Sequence, residues 1–197
     1  MRPVEWSAGT WLNEPESRID QGGHLHVTAR QGSDFWQRTS YGFERDSGHA
    51  LLYPLPQDSA IEVTFRADFT DLYDQAGVLL RCDETTWIKA GIEFTDGVPH
   101  LSAVVTNDVS DWSTFPVGEW AGREVTVRVS RSGDAVTVRA RVDAEPWVMV
   151  RLAPLDPSAI SSAGPFCAAP ERAGLTVEFL GARLGPADAG LHEPPPA

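Results

Sequence analysis

The chain has 197 residues, with 28 acidic against 16 basic side chains and a formal net charge of −12. Hydrophobic residues make up 42%, including seven Trp, eight Phe and three Tyr, enough apolar area for one sizeable core and too much for a disordered chain. The acidic balance, without a concentrated basic strip, opposes a phosphate backbone or an anionic membrane, so no nucleic-acid or membrane partner is expected.

The opening Met1-Arg2-Pro3-Val4-Glu5-Trp6 lacks the apolar stretch of a secretory signal. No apolar run approaches the roughly 20 residues that cross a bilayer, so a soluble, cytoplasmic protein is expected. Cys82 and Cys167 stand in unrelated contexts without a CxxC spacing, which reads as two reduced thiols rather than a metal knuckle.

Along the chain, apolar residues recur at a period of two in short stretches bounded by Gly, Pro, Asp and Ser, the pattern of half-buried antiparallel strands. Strands are predicted over 24–30, 61–69, 76–82, 86–94, 99–106, 123–130, 135–142, 147–152 and 174–184. Asp96-Gly97 and Ser132-Gly133-Asp134 supply turns between neighbours. Without βαβ spacing, the expected fold is an all-β, antiparallel two-sheet β-sandwich of jelly-roll type, one domain over 1–184. Residues 185–197, ending in Pro194-Pro195-Pro196, read as a disordered Pro-rich tail.

The segment Thr86-Trp87-Ile88-Lys89-Ala90-Gly91-Ile92-Glu93-Phe94 carries the most chemistry. A strand sends alternate side chains to opposite faces, so Ile88, Ala90, Ile92 and Phe94 belong to the core. Trp87, Lys89, Gly91 and Glu93 then line the other face as indole, cation, bare backbone and carboxylate. Gly91 weakens a strand unless a ligand or a neighbouring ring approaches its backbone. In a hairpin with 76–82, Gln75 and Gly77 share that face. An ammonium there favours an acidic or phosphorylated ligand; the plainer reading is a Lys89–Glu93 ion pair on a solvated surface, worth under about 1 kcal/mol.

Two further clusters follow. Thr106 to Ser113 reads as a polar rim loop holding Trp112 among hydroxyls and carboxylates. Asp34 to Phe43 offers Trp36 and Tyr41 for stacking with Arg38 and Thr39 as donors, or else a core strand with aromatic packing. Metal readings are weaker: His24 and His26 with His49 or His100, or calcium at Asp68, Asp71 and Asp74. No Gly-rich phosphate loop and no GxSxG elbow occurs, and neither cofactor nor metal is expected.

The blocks DFWQRTSYGF, YDQAGVLLR, TWIKAGIEF, VVTNDVSDWS and PWVMVRLA, in this order between about Trp11 and Leu184, resemble the domain-of-unknown-function 1349 family. The resemblance implies a concanavalin A-like lectin/glucanase sandwich without an assigned activity. Carried over by position, it implies that Trp36, Thr39, Tyr41, Asp74, Gln75, Trp87, Lys89, Glu93, Ser110, Asp111, Trp112 and Ser113 gather around one concave sheet. The expected function is binding of a small carbohydrate or comparable polar ligand. One alternative is a glycoside hydrolase or lyase using Glu93 with Asp74 or Asp111, although the glucanases' Glu-x-Asp-x-x-Glu strand is reduced here to Glu93 alone. The other is a regulatory protein-interaction module of carbon metabolism, implied by the family's fungal regulation-of-enolase member.

Overall fold

The computed structural model describes residues 1–195. Pro196 and Ala197, the end of the expected tail, lie outside the described residues. In chain order the strands begin with β1 (Arg2–Pro3), β2 (Thr10–Leu12), β3 (Ser17–Gln21), β4 (His24–Thr28), β5 (Phe35–Gln37) and β6 (Glu44–Asp46). They continue with β7 (His49–Pro54), β8 (Ser59–Arg66), β9 (Gln75–Arg81), β10 (Thr86–Thr95), β11 (Val98–Asn107) and β12 (Val109–Pro116). The last are β13 (Val125–Ser132), β14 (Ala135–Val142), β15 (Val148–Pro154), β16 (Ser162–Ala168) and β17 (Thr176–Pro186).

All but β5 and β6, which pair with each other, form two large antiparallel sheets, as the period-two pattern implies. One runs β15-β14-β13-β8-β17-β4-β3 with β1 against β17; the other runs β12-β11-β10-β9-β16-β7-β2. Their inner faces meet in a single core, to which β8 gives Ile61, Val63 and Phe65 and β10 gives Ile88, Ala90 and Ile92. The result is the expected all-β sandwich. Among the described residues no helix is long and apolar enough to cross a membrane.

Three expectations change. The 106–113 segment is not a loop: β12 pairs with β11 from Asn107↔Val109 to His100↔Pro116, after a one-residue reversal at Asp108, which takes a left-handed φ of 61°. The final strand continues to Pro186 instead of stopping at 184. Beyond it the chain is anchored, because Asp188 bonds Arg128 Nε at 2.7 Å and Arg139 Nε at 2.9 Å.

Candidate functional site

The site begins with strand parity. Lys89 lies between Leu79 and Val104 in register, and Glu93 lies between Gln75 and His100. Both therefore stand on the outer face of the seven-stranded sheet, opposite the Ile88-Ala90-Ile92 stripe. Gly91 faces Gly77, and a Cβ on Gly91 would run into the Ala76 carbonyl oxygen and come within 2.6 Å of the Gly77 Cα. The missing side chain is thus explained by backbone approach between β9 and β10, not by a ligand above Gly91.

That outer face is covered, not open. The β5–β6 hairpin folds back over it, held by a bidentate Arg81–Asp46 pair at 2.6 and 2.8 Å. Ser110 Oγ accepts the Gln37 backbone N–H at 2.9 Å, so Ser110 fastens the cover instead of lining a groove. Beneath it a second apolar cluster forms, with Phe35, Leu79, Val104 and Phe166 around Trp87. Trp87 is 1% exposed and 6.0 Å from the Phe35 ring, which removes it from the ligand-stacking residues.

Beside this cluster lies a cavity of about 340 Å³. Trp36, Tyr41, Phe43 and Trp112 wall it. Trp36 meets Tyr41 and Trp112 edge-on at 5.5 and 6.4 Å, while Tyr41 stacks on Phe43 at 5.4 Å. The 38–42 turn that displays Tyr41 is shaped by left-handed Arg38, Ser40 and Gly42. Trp36 Nε1 donates to the Thr39 carbonyl and Trp112 Nε1 to Ser102 Oγ, each at 2.9 Å, so both indoles are fixed with satisfied N–H groups.

The polar floor is a network. Lys89 Nζ donates to Asp34 Oδ1 at 3.0 Å and to Gln75 Oε1 at 2.8 Å. Gln75 Nε2 donates to Asp34 Oδ1 and to the Tyr73 carbonyl, both at 3.1 Å. Lys89 pairs with Asp34 and makes no ion pair with Glu93, so the plainer alternative of a solvated Lys89–Glu93 pair does not hold. With its charge matched, Lys89 no longer argues for an anionic ligand.

Of the expected site residues, the fold brings Trp36, Tyr41, Gln75, Lys89, Glu93 and Trp112 together. The others serve elsewhere. Thr39 is exposed in its turn and meets the cavity wall only through its carbonyl. Asp74 is fully buried, accepting Arg172 Nε at 2.7 Å and the Thr70 and Asp71 N–H groups. Asp111 and Ser113 take the opposite parity of β12 from Trp112 and bond Arg151. Neither Asp74 nor Asp111 can therefore act with Glu93.

Arg172 also sits within the Asp68–Asp74 loop, bonding the Asp68 carbonyl and the Asp74 carboxylate. His24 bonds Glu178, and His49 accepts Arg30 N–H, so the histidines do not converge. Asp34, Phe43, Arg45, Tyr73 and Glu171 line the cavity without having been expected there. Asp34 opens the aromatic block and was in view, but its role depends on the hairpin folding back, which no local pattern signals.

Glu93 is buried, and its Oε1 has no hydrogen-bond partner. Burial pushes its carboxyl up to about 7; nearby Lys89 opposes this, Asp34 adds to it and His100 opposes it. Since the folded-state value is the higher one, the protonated group favours folding below the unfolded-state range, and this contribution is lost as pH rises through 7. The full swing is on the order of 3 kcal/mol. Between pH 5 and 8, Glu93→Gln is expected to gain melting temperature relative to the wild type; a constant difference between the two would show that Glu93 keeps one charge state.

Comparison with known proteins places this geometry in context. The chain is 41% identical over 194 residues, 96% of both chains, to Regulation of enolase protein 1 of Saccharomyces cerevisiae. It superposes on a functionally unknown protein of S. cerevisiae with TM-score 0.88 and 40% identity, covering 95% of this chain and 100% of that one. A xylan β-1,4-xylosidase of Bacillus halodurans matches at TM-score 0.70 and 13% identity, over 93% of this chain but 39% of the enzyme. Lectin I-B4 of Griffonia simplicifolia matches at TM-score 0.55 and 15% identity, over 91% and 93%. The last two share the fold alone. Residues 11–187 match the family model described as a protein of unknown function, DUF1349, and the chain belongs to that family.

Proposed function

We propose that the cavity under the β5–β6 hairpin binds a neutral carbohydrate or comparable polar ring. The observation that carries this reading is the pairing of aromatic walls with a polar floor that keeps free valences. An ammonium has three donors, and Lys89 uses two of them within the protein. Glu93 has an acceptor without a donor. The lining sets the cations Lys89 and Arg45 against the carboxyl groups of Asp34, Glu93 and Glu171, so the cavity offers no strong net charge to an ionic ligand. Apolar sugar faces suit Tyr41 and Trp112, and ring hydroxyls suit Lys89 and Glu93. Sharing a fold with a lectin and with part of a xylosidase is consistent with this reading, although fold alone does not assign it.

A glycan array followed by calorimetric titration tests the proposal. Tyr41 is 49% exposed, so Tyr41→Ala leaves the core intact; it and Trp112→Ala are each expected to weaken binding about tenfold or more. Failure to retain any glycan, or retention with unchanged affinity in both variants, refutes carbohydrate binding here. A regulatory protein-interaction role is the second reading, favoured by the 41% identity to Regulation of enolase protein 1. Co-purification without a stoichiometric partner would count against it.

A further inference from the structure

Two carboxyl groups line this cavity in opposite circumstances. Asp34 Oδ1 takes three donors: Phe35 N at 2.8 Å, Lys89 Nζ at 3.0 Å and Gln75 Nε2 at 3.1 Å. All three of these contacts fall on Oδ1 and leave Asp34 Oδ2 outside them, whereas the buried Glu93 Oε1 has no hydrogen-bond partner. Gln75 joins the two: its amide donates to Asp34, and its Cα is the register partner of Glu93. Cross-strand partners on one face stand with Cβ atoms about 5 Å apart, so Glu93 leaves its strand beside the residue that bonds Asp34, and both carboxyl groups line the same cavity.

A carboxyl group with an open oxygen and a second, buried one without a donor can supply a base and an acid to one cavity. We infer that Asp34 and Glu93 act as base and acid in the ring opening and anomer exchange of a free aldose, an activity that rests on the carbohydrate-binding reading. Asp34 Oδ2 takes the proton of the anomeric hydroxyl, and the electron pair of that O–H bond forms the second C1–O1 bond. The C1–O5 bond breaks with its electron pair going to the ring oxygen, which receives the Glu93 proton. The product is an open-chain hydroxyaldehyde, with Asp34 protonated and Glu93 ionised. Rotation about C1–C2 followed by the reverse transfers closes the other anomer and restores both groups. No water, metal or oxidant is consumed. Lys89 is a positioning residue that holds Asp34.

Proton exchange spectroscopy with D-glucose, D-galactose, D-xylose and L-arabinose at neutral pH reads both steps in one sample. Line broadening reports binding, and cross-peaks between the α and β anomeric protons report exchange. The expected result is exchange faster than in buffer, cut about 10²-fold by Asp34→Asn and by Glu93→Gln when each protein is compared at a sugar concentration that saturates its own broadening. Broadening without faster exchange overturns the catalytic inference and leaves the binding reading standing. Faster exchange that survives both substitutions overturns the assignment of the pair. If no aldose broadens, the binding reading falls and the inference with it.

Discussion

Arg128→Ala is expected to remove roughly 3–5 kcal/mol of folding free energy, as breaking a buried ion pair from one side does. The Arg128 side chain is 0% exposed. Its guanidinium donates to Glu62 Oε1 at 2.9 Å, to Asp188 Oδ1 at 2.7 Å and to the Pro186 carbonyl at 2.9 Å. Truncation strands the Glu62 carboxylate on a buried face and leaves Asp188 with Arg139 alone. Urea denaturation measures the loss, and faster proteolysis within 187–191 is expected to accompany it, because that segment is tied down through these guanidinium groups. Against a typical domain stability of about 5–15 kcal/mol this is a large fraction. A loss below about 1 kcal/mol would show that water screens the cluster as it does a surface pair.

Trp87→Ala is expected to cost about 3–5 kcal/mol, the range for emptying a buried indole site. The ring's contribution is apolar area and its tilted contact with Phe35, since Trp87 Nε1 has no hydrogen-bond partner. Phe35 in turn packs edge-on to Phe166 at 6.4 Å, so the void would loosen the base on which the hairpin rests. Chemical denaturation and ligand titration together separate this residue from Trp112. Trp112→Ala should lose affinity with a small change in stability, and Trp87→Ala should lose stability first. A Trp87→Ala protein that melts like the wild type but no longer retains ligand would place the indole in the cavity and overturn the burial argument.

Much of the fold was legible because strand alternation is a local signal. Residues Ala76, Val78 and Leu80, with Ile88, Ala90 and Ile92, enter the core as their period of two requires, and Gln75, Lys89 and Glu93 share the opposite face. Strands with weak local signals were missed. β16 carries Gly164-Pro165, which reads as a breaker, yet it sits between β9 and β7. A Cβ at Gly164 would collide with the Leu51 carbonyl oxygen, so the glycine there permits close strand approach instead of ending the strand. β12 is an edge strand with Ser and Asp at several positions, a composition that reads as loop.

By itself, then, the amino-acid order determined the fold class, the two-faced strand 86–94 and the set of aromatic and polar side chains from which the cavity is drawn. Only the tertiary structure decided which of them meet. Asp34 reaches Lys89 across 55 residues and Arg128 reaches Asp188 across 60. The same folding of the hairpin over the sheet buries Trp87 and opens the space beside Trp112. Alternation along a strand follows from the geometry of consecutive peptide units, whereas the burial of a face depends on the element that comes to lie on it, and no neighbouring residue encodes that.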